Sequence, residues 1–189
     1  SLMDKWIISS LQSLIKTVNE KMENYYLYEV IPPLMNFVDE LTNWYVRSNR
    51  KRFWKEKGID DIDKINAFKT LHEVLLEFNK AMAPVLPFIC EKIYQGLIDE
   101  EKTSIHYCDY PESNPKLIDK DLEESVELAK KIIKSVRNLR VKLKLPNKQP
   151  LNSVTVISDS KNISNQLKII GNLIMNEVNV KEIKIDENV

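Results

Sequence analysis

The sequence predicts a mainly α protein, a helical bundle followed by a small C-terminal α/β unit. Glycine occurs only at 58, 96 and 171, too seldom for the tight hairpins of a β-rich fold. Up to Arg140 the apolar residues recur with the 3.6-residue period of buried helix faces. After Pro150 the spacing switches to alternation, then to helical, then to alternation again.

The 189 residues suit one domain, or one domain with an appendage. A hydrophobic share of 43% is enough for a core. Twenty-eight basic and 28 acidic residues cancel, so any attraction to a polyanion must be local. Cys90 and Cys108 are too few for a disulfide framework and form no CxxC pair, which suits a reducing compartment such as the cytoplasm. No apolar run approaches the ~18 residues of a membrane span, and no signal peptide is expected. The opening Ser-Leu-Met suggests a fragment of something longer.

In the first helix Ile7, Leu11, Leu14, Ile15, Val18, Met22 and Tyr25 face inward, and Asp4 caps the start. A second helix is expected from about Tyr28 to Trp54, with Leu34, Phe37, Val38, Leu41 and Tyr45 inward. Pro32-Pro33 must kink it or mark its true start, and Gly58 stops the stretch that follows. A third helix begins near Asp63, with Ile65, Phe68, Leu71, Leu75, Phe78 and Met82 inward. Two prolines in AMAPVLPF end it, and Pro87 opens a fourth helix carrying Ile89, Ile93 and Leu97. Residues 101–118 are expected as a loop. The fifth helix runs from about Asp119 to Arg140, burying Leu122, Val126, Ala129, Ile133 and Val136. Val154 and Val156 mark a strand, Ile163, Leu167, Ile170 and Ile174 a helix, and Val180, Ile183 and Ile185 a second strand. This places one domain at 1–150 and a strand–helix–strand unit at 151–189, too small to hold a core alone.

The segment NWYVRSNRKRFWKEK, residues 43–57, concentrates charge. Arg47, Arg50, Lys51, Arg52, Lys55 and Lys57 stand against Glu56 alone, with Trp44 and Trp54 among them. On a helix Trp44, Arg47, Lys51 and Lys55 share a stripe, beside Arg50 and Trp54. Guanidinium forks suit phosphate, and indole rings stack on bases, so the composition fits contact with unpaired nucleotides. It also fits a solvated amphipathic helix whose aromatics face the core. A second basic stretch, residues 135–150, holds Arg137, Arg140, Lys142, Lys144 and Lys148 with no acid between them. Complementing a helix C-terminus explains the arginines but not the continuation to Lys148.

NWYVRSNRKRFW resembles the signature of the anticodon-binding domain of isoleucyl-tRNA synthetases. DKWIISSLQSLI, YYLYEVIPPLMNFVDELTNWYVR and AFKTLHEVLLEFNKAMAPVLPFICEKIYQGL resemble that domain's bundle helices. SIHYCDYPE resembles its inter-helix loop, and LPNKQPLNSVTVI its junction into a small α/β unit, closer to the eukaryotic and archaeal branch. The likeness covers about residues 4–186. Ser48, Lys51 and His72 depart from the residues common at those positions. The resemblance implies an antiparallel bundle of the class I synthetase type. It implies binding of the anticodon stem-loop of isoleucine tRNA through Asn43, Trp44, Arg47, Asn49, Arg50, Lys51, Arg52, Trp54 and Lys55, and the charge of the second basic stretch adds Arg137, Arg140, Lys142 and Lys144 as candidate contacts with the tRNA. The parent enzyme is expected to be an isoleucine–tRNA ligase, a cytoplasmic monomer that uses ATP with Mg. The HIGH and KMSKS-type motifs of its catalytic domain are not in this sequence, so no catalysis is expected from this chain alone. Alternatives are the corresponding domain of a valine or leucine synthetase, or a helical module that binds an acidic protein.

Little else in the sequence suggests chemistry. His106 and Cys108 lack further metal ligands, His72 reads as a core histidine with its bonds satisfied, and Glu123-Glu124 suits a helix N-terminus. No cofactor is expected in this chain, and no glycine-rich phosphate loop occurs.

Overall fold

A computed structural model describes residues 1–54, 61–98, 103–157 and 161–186, without the side chains of 161–164. The chain divides into two compact units, Ser1–Asp119 and Lys120–Val189. The fifth predicted helix therefore groups with the strand–helix–strand, whereas the sequence reading separates them at 150.

The first unit opens with α1 (Leu2–Glu23). Ser1 is its N-cap and Asp4 occupies the N3 position of a capping box, so Asp4 lies one turn inside the helix rather than at its cap. The helix closes through Tyr25 N–H to the Met22 carbonyl (3.1 Å) and Tyr26 N–H to that of Lys21 (2.9 Å). Tyr25 takes the left-handed conformation usual for glycine, with φ 59°. This turns its ring outward, 86% exposed, against the expectation that it faces the core.

The long second helix expected over 28–54 is four pieces. A 3₁₀ turn (Leu27–Glu29) precedes α2 (Ile31–Asp39), whose first turn holds Pro32 and Pro33, where missing N–H groups cost nothing. A π-helical segment, Glu40–Val46, follows, and then the single turn α3 (Arg50–Phe53). Thr42 Oγ1 donates to the Val38 carbonyl at 2.7 Å, a side-chain bond of the kind that competes with the α ladder. Leu34, Phe37, Leu41 and Tyr45 are buried as their spacing predicts.

Helix α4 (Ile62–Met82) is capped by Asp61, which accepts from Asp63 N–H at 3.1 Å. Its inward stripe is Ala67, Thr70, Val74, Phe78 and Ala81. Ile65 and Phe68 are instead 37% and 49% exposed. The small Ala67 lets α4 approach Tyr45, whose hydroxyl lies 3.3 Å from the Ala67 carbonyl. Phe68 meets Phe53 edge-on at 5.1 Å. Helix α5 (Pro87–Leu97) likewise buries Cys90 and Tyr94 and leaves Ile89 and Ile93 outside. Glu91 holds the following loop by accepting from Ile105 N–H (2.9 Å) and Ser104 Oγ (3.0 Å). His72 is exposed rather than in the core, and its Nε2 lies 2.8 Å from the Leu97 carbonyl.

In the second unit α6 (Lys120–Lys142) buries Leu122, Val126, Ala129, Ile133 and Val136, as expected, and packs against α7 (Lys161–Val178). Strands β1 (Leu151–Ile157) and β2 (Val180–Asp186) pair in parallel, from Leu151 opposite Val180 to Ile157 opposite Asp186. Parallel pairing requires a crossover, and α7 supplies it, burying Leu167, Ile170, Ile174 and Val178.

Helix α6 ends in a Schellman turn: Leu145 N–H reaches the Arg140 carbonyl at 2.8 Å and Lys144 N–H that of Val141 at 3.1 Å. Lys144 holds the left-handed position, φ 54°. Relief of that strain outweighs glycine's larger unfolded-state entropy, so Lys144→Gly is expected to stabilise the protein by roughly 0.5–1 kcal/mol in chemical denaturation.

Candidate nucleic-acid interface

The basic stretch begins inside the π segment, a form of helix often found at functional sites. Tyr45 points wholly inward, and its hydroxyl donates to Asp4 Oδ1 at 2.8 Å. Asn49 is buried too: its amide donates to the Tyr45 carbonyl at 2.8 Å, and its side-chain oxygen accepts from Arg52 at 2.9 Å.

Arg52 spends its donors inside the fold. Nη1 and Nη2 grip the two oxygens of Asp4 at 2.8 and 3.0 Å, Nε faces the Asp63 carboxylate at 3.0 Å, and Nη2 also donates to the Asp63 carbonyl at 3.1 Å. This clasp joins α3 to the first turns of α1 and α4. Burial alone would raise the Asp4 carboxyl, but its hydrogen bonds, that from Arg52 foremost, together outweigh burial and hold Asp4 well below the usual carboxylate range. The same pair keeps the Arg52 guanidinium charged, and the hydrogen bond from Arg52 lowers Asp63.

With Arg52 turned in, its neighbours turn out. Arg47, Arg50 and Lys51 are exposed and form no ion pair among the described residues. The Arg50 guanidinium stacks over the Trp54 ring at 5.2 Å, and Trp54 is 66% exposed. Asn43 is exposed, with its amide on Asp39 Oδ1 at 2.5 Å, and Trp44 is half-buried. Lys55, together with Lys57 and the Gly58 stop, lies outside the described residues. The structure thus gathers Arg47, Arg50, Lys51 and Trp54 on one surface, and gives Asn49 and Arg52 to the interior.

The second basic stretch divides in the same way. Arg137 pairs with Glu177 at 2.5 Å. Arg140 is 2% exposed and donates to four carbonyls, those of Pro146 (3.1 Å), Gln149 (3.1 Å), Val178 (2.7 Å) and Asn179 (3.2 Å). Lys142, Lys144 and Lys148 are exposed. Among the described residues no three His, Cys, Asp or Glu side chains gather as a metal-ligand set, and no helix is long and apolar enough to cross a membrane.

A model of the family described as the anticodon-binding domain of tRNA ligase matches residues 4–156. The chain belongs to this family. Over 188 residues the domain is 42% identical to the isoleucine–tRNA ligase of Clostridium novyi, covering 97% of this chain and 17% of that protein. It is 40% identical over 182 residues to the isoleucine–tRNA ligase of Chlamydia trachomatis serovar D, covering 96% and 17%. It is 34% identical over 196 residues to the cytoplasmic isoleucine–tRNA ligase of Saccharomyces cerevisiae, covering 98% and 18%. The domain thus spans less than a fifth of the length of these curated relatives, and its likeness extends to bacteria as well as to yeast.

No sequence spacing announces the clasp, because Asp4, Tyr45, Arg52 and Asp63 are joined only by the fold. Asp4→Asn is expected to destabilise the protein by about 2 kcal/mol, since it takes from Arg52 the more buried of its two carboxylate partners and leaves only Asp63. The lowered carboxyl contributes stability above its ordinary value of 3.8 and loses it as pH falls further. The difference in unfolding free energy between Asp4→Asn and the unsubstituted chain should therefore shrink below that pH, as followed by circular dichroism. Arg140→Met should cost about 3 kcal/mol in denaturant unfolding, because the carbonyls it serves lose their donor.

Proposed function

We propose that this chain is the anticodon-reading module of an isoleucine–tRNA ligase, and that it binds the anticodon stem-loop of isoleucine tRNA. Membership of the family and the names of the relatives support this reading, and the observation that carries it is the exposed Arg50–Trp54 stack flanked by Arg47 and Lys51. Arg47 and Lys51 neutralise loop phosphates. Trp54 offers an indole face to an unstacked base, and Arg50 offers a fork for its edge or its phosphate. The Arg52 clasp holds α3 still while this happens, which lowers the ordering cost of binding.

Activation of isoleucine with ATP and Mg belongs, in this reading, to a catalytic domain of the parent ligase, a cytoplasmic monomer. The module's part is to admit the matching tRNA and hold it in register for that domain.

A titration of the chain with an isoleucine tRNA transcript and an anticodon-swapped control tests the reading. Trp54→Ala should weaken binding of the matching transcript by about 5- to 150-fold, the worth of one stacked base. Arg50→Ala should weaken it and narrow the gap between the two transcripts, with circular dichroism unchanged in both variants. Unaltered affinity in both would place the anticodon site elsewhere.

A further inference from the structure

The outward face of α6 carries charge that the fold does not use. Lys131, Lys134, Asn138 and Lys142 are all exposed, and their spacings of three, four and four residues set them in one stripe. At about 1.5 Å per residue the stripe runs ~16 Å. Lys144 and Lys148 continue the charge beyond the helix end, also exposed. None of these five lysines forms an ion pair among the described residues, whereas Lys130, off the stripe, is paired with Glu127.

Local stability does not account for the pattern. The helix dipole rewards cations only in the last turn, and Lys131 and Lys134 lie more than two turns before Lys142. The acids of α6 lie N-terminal to the stripe, at Asp121, Glu123, Glu124 and Glu127, the last of them one turn before Lys131 and paired with Lys130. Lys144 also occupies a left-handed position where glycine would be less strained. The arginines of the same helix, Arg137 and Arg140, turn inward, so the outward charge is all lysine. Lysine is a mobile point charge without arginine's planar fork, and the stripe has no aromatic ring. Such a surface suits phosphate rather than base edges.

We propose that this face of α6 is a second RNA-contact surface, one that holds the sugar–phosphate backbone of an RNA helix without reading its sequence. It rests on the RNA-binding reading above but uses a different element, and the two can fail separately.

The test is a titration of the whole chain, and of Lys131→Gln/Lys134→Gln/Lys142→Gln, across about 50–200 mM salt. The probes are the isoleucine transcript, the anticodon-swapped transcript, a plain RNA duplex and polyglutamate. Glutamine preserves helix propensity, and circular dichroism checks the fold. The variant should flatten the log–log salt slope by roughly 2–3, about 0.9 for each lost phosphate contact. Both transcripts should weaken by the same factor, and duplex binding should fall with them. An unchanged slope on every RNA that the unsubstituted chain binds overturns the proposal. So does loss of polyglutamate binding with RNA binding intact, which would assign the stripe to an acidic protein. If the unsubstituted chain binds neither transcript, the anticodon reading fails. The duplex then judges the stripe alone: binding that the variant loses upholds it, and no binding overturns it.

Discussion

The grip of Arg52 on Asp4 is the contact on which the exposed surface depends. Helix α3 is only four residues long, far below the length at which a helix holds itself together in water. Its order comes from outside, through the Arg52 fork on α1 and α4 and through Phe53, which packs against Tyr45 and Phe68. Fixing one side of a single turn also fixes the other. Arg50, Lys51 and Trp54 face solvent because Arg52 and Phe53 do not.

Arginine and lysine divide the work on α6, while in the first unit Arg52 turns inward and Arg47 and Arg50 stay exposed. Arg52 meets two carboxylates, and Arg140 meets four carbonyls, two of them from Val178 and Asn179 at the end of α7. The last carbonyls of a helix lack partners and carry its negative pole. A guanidinium with five donors in a plane can serve several at once, so Arg140 caps α7 from the side while closing the 146–149 turn. An ammonium group is more strongly hydrated and loses more when buried. Lysine is accordingly what carries the outward positive charge of α6.

The sequence makes much of this legible, and its failures have physical causes. The class of fold, the inward faces of α2 and α6, and the strand–helix–strand all follow from periodicity, because a buried stripe needs nothing beyond its own helix to be visible. The family follows from the segment around Trp44 and Trp54. In α4 and α5 the same method holds at Phe78 and Met82 but fails at Ile65, Phe68, Ile89 and Ile93: apolar residues lie on more than one face, and Ala67 wins the inner position through the close approach its size permits. Charge was harder still. A count of cations cannot separate Arg52, which serves the core, from Arg50, which does not, because the difference lies in Asp4 and Asp63, remote in sequence. Lys131 and Lys134 lie outside the two stretches richest in charge, so a reading by local charge passes over them.

The π-helical segment from Glu40 to Val46 has a bearing on the domain's history. A wide turn packs more chain into each revolution than the α-helix on either side. It therefore behaves as an inserted residue absorbed without breaking the rod. Pro32 and Pro33 lie at the start of this stretch and the anchored α3 at its end. Descendants that gain or lose a residue here can relax the turn or widen it, and both ends of the helix stay where they are.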